Sequence, residues 1–177
     1  MPETSADKLV SCMSVVEYPK GFRILEAGKV ETSVFFIGQG IARAYIPIDG
    51  REVTFWIGGE GTALVSLRSY VSDEYGYETV ELLEDSVLYR LDRGNLYSLF
   101  EQDVNVANWG RKFAEREFLA TEEKLIPLLF TTASERYEVL LKNNPELLQR
   151  IPLEYLASYL GITPVSLSRI RAKVKLR

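Results

Sequence analysis

Residues Leu153–Ala172 read LEYLASYLGITPVSLSRIRA, and the spacing inside this stretch decides how the rest of the chain is read. Apolar Leu156, Leu160 and Ile162 are interleaved with small Ala157 and with Gly161, and are followed by Leu167 and Ile170. Each position has a mechanical reason. Ala157 lets a second helix cross close to the first, and Gly161 supplies the positive φ that ends the first helix after Leu160. Thr163 is a good N-cap and Pro164 a good first-turn residue, so the second helix starts there and runs toward Val174. The pattern predicts two short helices joined by a tight turn, a helix-turn-helix.

Leu167, Ile170 and Val174 recur at helical spacing and form the buried face of the second helix, which leaves Val165, Ser168, Arg169, Ala172 and Lys173 on or beside the outward face. In such a motif that face enters the major groove of double-stranded DNA, N-terminal end first. Val165 and Arg169 are the expected base readers, because an arginine pairs bidentately with guanine and a valine methyl can touch the methyl of thymine. Thr163, Ser168, Lys173 and the free amides of the helix start are expected on phosphates, with Ser166 completing the DNA-binding set. The competing reading is an ordinary helical pair. The joint match of small residue, turn glycine, cap and apolar positions favours DNA.

Working back along the chain, residues 103–130 form the next unit. No glycine follows Gly110 and no proline precedes Pro127. Ala114, Phe118, Thr121, Leu125 and Leu128 are spaced 4, 3, 4 and 3, a heptad seam that Ala107 and Val104 extend backward with Arg111 as the one interruption. A second apolar set, Val106, Trp109, Phe113 and Ile126, is available to pack on the domain before it. One helix with two faces to bury predicts a homodimer; the alternative is a single amphipathic helix inside a monomer. A dimer also answers a need, since two recognition helices on a two-fold axis read half-sites about 34 Å apart. Pro127 and the Thr131-Thr132 pair mark a hinge, after which Thr132 or Ser134 caps a helix through about Leu141.

The first hundred residues have a different texture. Residues 1 to about 18 read as a short helix or lead-in with Leu9, Val10, Met13 and Val16 on one face. From Tyr18 onward, short β-type runs alternate with glycine: RILEAG, SVFFIGQG, IARAYIPIDG, REVTFWIGG and TVELLEDSVLYRLDRG. That spacing argues for an all-β sandwich or barrel, and Asp49-Gly50 is a strong hairpin signal.

Charge is divided along the chain. The formal net charge is -4, yet from Thr131 to Arg177 eight basic residues face four carboxylates, a balance of +4, so residues 1–130 carry -8. The asymmetry suits an acidic sensor domain joined to a basic DNA-binding end, although charged C-termini are often simply solvated. There are no histidines and one cysteine, Cys12, which excludes ordinary zinc sites, four-cysteine iron-sulfur clusters, His-ligated haem and Ser-His or Cys-His nucleophiles. No cofactor and no metal are expected, and an enzyme is disfavoured. The apolar runs are too short for a membrane span and MPETSADKLV is unlike a secretory leader, so a cytoplasmic protein is expected.

The segments YPKGFRILEAGKV, FFIGQGIARAYIPIDGREVTFW and TVELLEDSVLYRLDR, with Gly21, Gly28, Gly40 and Gly50 at their turns, resemble the cyclic-nucleotide-binding jelly roll of the cyclic-AMP receptor protein/Fnr family of bacterial transcription regulators. With the helix-turn-helix after it, the resemblance spans Tyr18 to Lys173. It implies an α+β protein with a jelly roll over residues 1–102, a connecting and dimerisation helix over 103–130 and a helix-turn-helix domain over 131–177. It also removes the ligand one would expect. In cyclic-AMP-binding members a phosphate cassette supplies a glutamate for the ribose and an arginine for the cyclic phosphate; laid without gaps, those places fall here on Ser66 and Gly76. Neither provides the paired charge an anionic phosphate needs. Shifting by one residue brings Tyr75 or Tyr77, which restores no charge. Arg68 lies in the cassette, as a surface arginine or as a binder of another anion. The pocket then takes another small molecule or is filled by its own Leu64, Leu67, Tyr70 and Tyr77.

One departure from the family is plain. Many members place a β-hairpin wing before the helix-turn-helix and more strand after it, whereas this sequence has NNPELLQRIP and ends at Arg177. The expected function is a sequence-specific transcription regulator that binds no cyclic AMP in the usual way; the alternative is a small-molecule-binding or interaction module without DNA-binding activity.

Overall fold

The computed structural model describes residues 1–175; Leu176 and Arg177, at the end of the expected helix-turn-helix domain, lie outside the described residues. The chain begins with helix α1 (Glu3–Ser11), followed by strands β1 (Met13–Tyr18), β2 (Arg23–Leu25), β3 (Val34–Gln39), β4 (Ala42–Ile48), β5 (Arg51–Gly58) and β6 (Ala63–Leu64). A short helix α2 (Leu67–Ser72) precedes β7 (Thr79–Leu82) and β8 (Ser86–Leu91). The strands form two four-stranded sheets, ordered β1-β8-β3-β6 and β2-β7-β4-β5, with every pairing antiparallel. This is the expected jelly roll.

The core is the space between the two sheets. Phe35, Ile37, Leu64 and Leu88 from one sheet meet Leu25, Ala42, Ala44, Val80 and Leu82 from the other. Side chains alternate along a strand, so Arg43 and Tyr45 project from the opposite face of β4. The β4–β5 hairpin turns at Asp49 and Gly50, with φ of 51° and 73°, and Ile48 pairs with Arg51. Two consecutive positive-φ residues are what a two-residue hairpin of the right twist demands.

One expectation fails near the N-terminus. The apolar set Leu9, Val10, Met13 and Val16 does not lie on one helix: α1 stops at Ser11, and the next six residues are β1, in register with β8 from Met13↔Leu91 to Tyr18↔Ser86. Adjacent β-branched Val15 and Val16 favour a strand, and the free edge of β8 supplies its partner. Val10 is left exposed.

After β8 come α3 (Arg93–Gln102) and the long helix α4 (Val104–Phe130). Asp103 caps α4 by accepting from the Asn105 amide, and it also takes hydrogen bonds from Ser5 and Lys8 that fasten α1. Val106, Trp109 and Phe113 pack toward the jelly roll as expected, with Phe36 6.2 Å from the Trp109 ring and 5.8 Å from that of Phe113. At Gly110 the helix passes so close to α3 that a Cβ would stand 2.5 Å from the Phe100 ring. Ile126, the fourth member of that set, is exposed instead. It lies about 20 Å farther along the axis than Phe113 at 1.5 Å per residue, beyond the patch around Phe36.

Pro127 does not break α4. The helix continues to Phe130, and the chain turns at Thr131, whose amide and hydroxyl both donate to the Pro127 carbonyl. Thr132 then caps α5 (Ala133–Asn143) in a reciprocal capping box with Glu135. The stretch NNPELLQRIP holds a further helix, α6 (Pro145–Arg150), which the sequence reading did not foresee; Pro145 sits at its first turn. Helices α7 (Leu153–Tyr159) and α8 (Pro164–Lys175) complete the described chain, and no strand follows β8 among the described residues.

Candidate functional site

The helix-turn-helix forms as its residues dictate. Gly161 takes φ of 70°, its amide donates to the Ser158 carbonyl and that of Ile162 to the Ala157 carbonyl, which closes α7 in a Schellman arrangement. Thr163 Oγ1 accepts from the Ser166 amide and lies 3.0 Å from the Ser166 hydroxyl, so both side chains take part in starting α8. Leu156, Ala157, Leu160 and Leu167 are fully buried, with Ile170 and Val174 packed against the same cluster. Thr163, Val165, Ser168, Arg169, Ala172 and Lys173 are exposed along one side of α8, Val165 at 62%. Ser166 is half-buried.

Not every basic residue of this domain faces outward. Arg171 turns inward, 5.9 Å over the Tyr137 ring, with one nitrogen 3.5 Å from the Leu148 carbonyl. Arg136 donates to the Thr131 carbonyl at 2.6 Å and to the Leu160 carbonyl at 2.9 Å, joining the hinge to the end of α7. Arg150 is engaged across the domain boundary. The outward-facing described cations are fewer than the net charge of the segment suggests.

That boundary was not visible in the sequence. The helical domain sits on the outer face of the β2-β7-β4-β5 sheet, burying Ile41 and Leu83 in one cluster with Leu148, Ile151 and Leu156. Helix α7 covers the edge strand β5: Ser158 Oγ accepts the Thr54 amide at 2.9 Å and donates to the Glu52 carbonyl at 3.2 Å. Arg43, only 2% exposed, lies between the Tyr45 and Tyr155 rings and is paired with Glu52 and Glu81. Arg150 reaches Glu60 at 2.7 Å and also pairs with Glu84. The Arg150 hydrogen bonds, followed by the Gly40 amide, hold the Glu60 carboxyl down at about 2. An arginine in the middle of an otherwise apolar β4 was the one available signal, and without a topology it names no partner.

The cassette places its residues differently from a pocket. Ser66 and Gly76 do meet: a Cβ on Gly76 would lie 2.7 Å from Ser66 Oγ. Their polar groups are already engaged, since Ser66 bonds Ser69, the Gly76 amide donates to the Lys29 carbonyl and the Gly28 amide to the Gly76 carbonyl. Leu64 belongs to the jelly-roll core, and Tyr70 packs against Tyr97 with its hydroxyl pushed up to about 12, chiefly by burial. Leu67 and Tyr77 fill nothing; both are exposed, Tyr77 beside Phe55. Arg68 is paired with Glu74 on the surface. The seven residues therefore form a core member, a closed serine-glycine contact and a surface, rather than one cavity.

On α4, Phe118 is 75% exposed and Ala114, Thr121, Leu125 and Leu128 are exposed with it, while Ala107 is half-buried. Leu119, Leu129 and Phe130 widen the apolar surface. Among the described residues no helix is long and apolar enough to cross a membrane.

An eight-stranded jelly roll joined by a long helix to a helix-turn-helix is the architecture of the Crp/Fnr-like regulators. Solved structures with this arrangement include FixK2 from Bradyrhizobium japonicum (TM-score 0.79, 20% identity, 93% of this chain and 85% of that one). The catabolite activator protein of Thermus thermophilus gives 0.61 and 22%, covering 99% and 84%. A Crp/Fnr-family regulator from Eubacterium rectale gives 0.73 and 17%, also covering 99% and 84%. At these identities the likeness is one of fold. No curated protein matches by sequence. Residues 15–103 match the cyclic nucleotide-binding domain, half of the chain, and the chain belongs to that family, with a Crp/Fnr-like fold.

Proposed function

We propose that this protein is a homodimeric, cytoplasmic, sequence-specific DNA-binding transcription regulator. The observation that carries the reading is the exposed face of α8: with the helical domain packed on the jelly roll, Val165, Ser168, Arg169, Ala172 and Lys173 all remain open to solvent. A recognition helix must present such a face, polar and cationic with one apolar contact, to enter a major groove. The proposed roles are base reading for Val165 and Arg169, and phosphate contact for Thr163, Ser166, Ser168, Lys173 and the first amides of α8. The seam of Ala107, Ala114, Phe118, Thr121, Leu125 and Leu128 pairs with its twin. A monomer leaves the large apolar surface of α4 in water, which favours association.

On this reading the jelly roll does not bind cyclic AMP in the usual way. Ser66 and Gly76 are in contact and neither is a cation; Arg68 of the cassette is held by Glu74, and Arg93 engages the Tyr70 carbonyl and Asp73. Calorimetry with cyclic AMP gives no saturable heat on this reading. A second reading, an interaction module whose helix-turn-helix is a cap, draws on the cover that α7 gives to β5.

Selection of bound duplexes from a random pool, with a salt titration on the winner, separates the two. A regulator enriches a palindrome with half-sites about one helical turn apart and shows a steep salt slope. Arg169→Ala then loses discrimination at one position per half-site by roughly 1–3 kcal/mol, whereas Lys173→Ala weakens all duplexes alike. Failure to enrich any duplex overturns the proposal.

A further inference from the structure

A cavity of about 550 Å³ lies between the jelly roll and the helical domain, away from the cassette. Its apolar wall is formed by Ile57 at the end of β5, Leu140 of α5, Leu147 of α6 and Leu156 of α7. Tyr159 and Lys124 add its polar points. The volume suits a small organic molecule.

Its charges are unevenly satisfied. Arg150 and Glu60, both on the wall, neutralise each other. Lys124 stands 5.6 Å over the Trp56 ring and makes no ion pair among the described residues. Desolvation by the surrounding groups lowers its pKa. The cavity therefore presents, beside an apolar wall, a solvent-exposed ammonium that has no ion pair among the described residues and only the longer-range influence of Glu117. Glu146 on the same lining opposes a second negative charge, which disfavours phosphate-bearing ligands.

We propose that this interdomain cavity binds a small hydrophobic monocarboxylate, its carboxylate on Lys124 and its apolar body against Ile57, Leu140, Leu147 and Leu156. A neutral ligand of the same shape gains the apolar contact but leaves the ammonium unpaired. Both domains and α4 supply wall residues, so an occupied cavity favours the packed arrangement over any in which the helical domain has moved away. The consequence for DNA affinity rests on the regulator reading; binding itself does not.

The test is calorimetric titration of the full chain with octanoate. A saturable site, one per chain, is expected, with octanamide more than 10-fold weaker. Lys124→Met weakens octanoate at least 10-fold, Lys124→Arg keeps it within about threefold, and Leu147→Trp, which fills the cavity, abolishes it. Circular dichroism verifies that each variant is folded. The absence of saturable heat, equal affinity for octanamide, or unchanged octanoate binding in folded Lys124→Met overturns the proposal. Duplex binding is measured separately with and without octanoate. If the chain selects no duplex, the regulator reading falls and the octanoate result stands by itself.

Discussion

Replacing Arg150 with Met tests the packing of the helical domain on the jelly roll. The guanidinium is the only cation paired with Glu60 and with Glu84 among the described ion pairs. A carboxyl held at about 2 rather than 4.5 corresponds at face value to roughly 3 kcal/mol. Glu60 is 43% exposed, however, and solvent screening reduces the interaction to about 1–2 kcal/mol, the Glu84 contact included. The apolar cluster around Ile41 and Leu83 is untouched by the change, so the domains still pack, with an equilibrium shifted about 5- to 30-fold toward opening. The Thr54 amide reports this directly, because it donates across the boundary to Ser158 Oγ. Hydrogen exchange at Thr54 is expected to accelerate by that factor in Arg150→Met, while the amide of Leu88, in the sandwich core, keeps its protection. If Thr54 exchanges at the wild-type rate in the folded variant, the ion pairs contribute nothing to the packing and the reasoning is refuted.

Three further outcomes are expected. Gly161→Ala forces a Cβ into φ of 70° where no neighbour obstructs it, so the loss is conformational, about 1 kcal/mol by denaturant midpoint; an unchanged midpoint would contradict it. Asp103, held at about 2 rather than 3.8 mainly by the Lys8 hydrogen bond, then by those from Ser5 and the Asn105 amide, contributes its full stabilisation above the ordinary value and loses it as pH falls from about 4 through 2. Exchange protection of α1 should drop over that window in the wild type and be low already at neutral pH in Asp103→Ala. Phe118→Glu puts a charge in each strand of the proposed seam, and sedimentation should show a monomer with an intact jelly-roll signal; an unaltered dimer would move the interface elsewhere.

The sequence revealed what depends on local rules. Gly161, Thr163, Asp49-Gly50 and Thr132 each formed the turn or cap their chemistry requires, because those features involve residues within five positions of one another. Strand runs with clear turns were equally legible. Long-range partnerships were not. Nothing within the sequence brings Ser158 to Thr54, Arg150 to Glu60 and Glu84, or Arg43 beneath Tyr155, since those contacts join elements more than 60 residues apart and depend on which sheet face the last domain covers. The same limit applies to the cassette. Composition can nominate Leu67 and Tyr77, but only the fold turns them outward. Charge balance misled in the same way, because Arg136, Arg150 and Arg171 count as cations in the sequence and serve as internal ties in the molecule.

Arg136 carries a consequence for how a dimer would measure DNA. Its guanidinium holds the Thr131 carbonyl, one residue past α4, and the Leu160 carbonyl, at the turn that launches α8. Swivelling the helical domain about the hinge breaks the bond to Thr131, while the bond to Leu160 ties the start of that domain to the turn before α8, so in a dimer the paired long helices and the two recognition helices would behave as a stiff caliper with a fixed gap. Adding one base pair between half-sites changes their separation by about 3.4 Å and their relative angle by about 35°. With no slack at Thr131, that mismatch has to be absorbed by twisting and bending the duplex, and spacing then discriminates between sites through the stiffness of the intervening DNA.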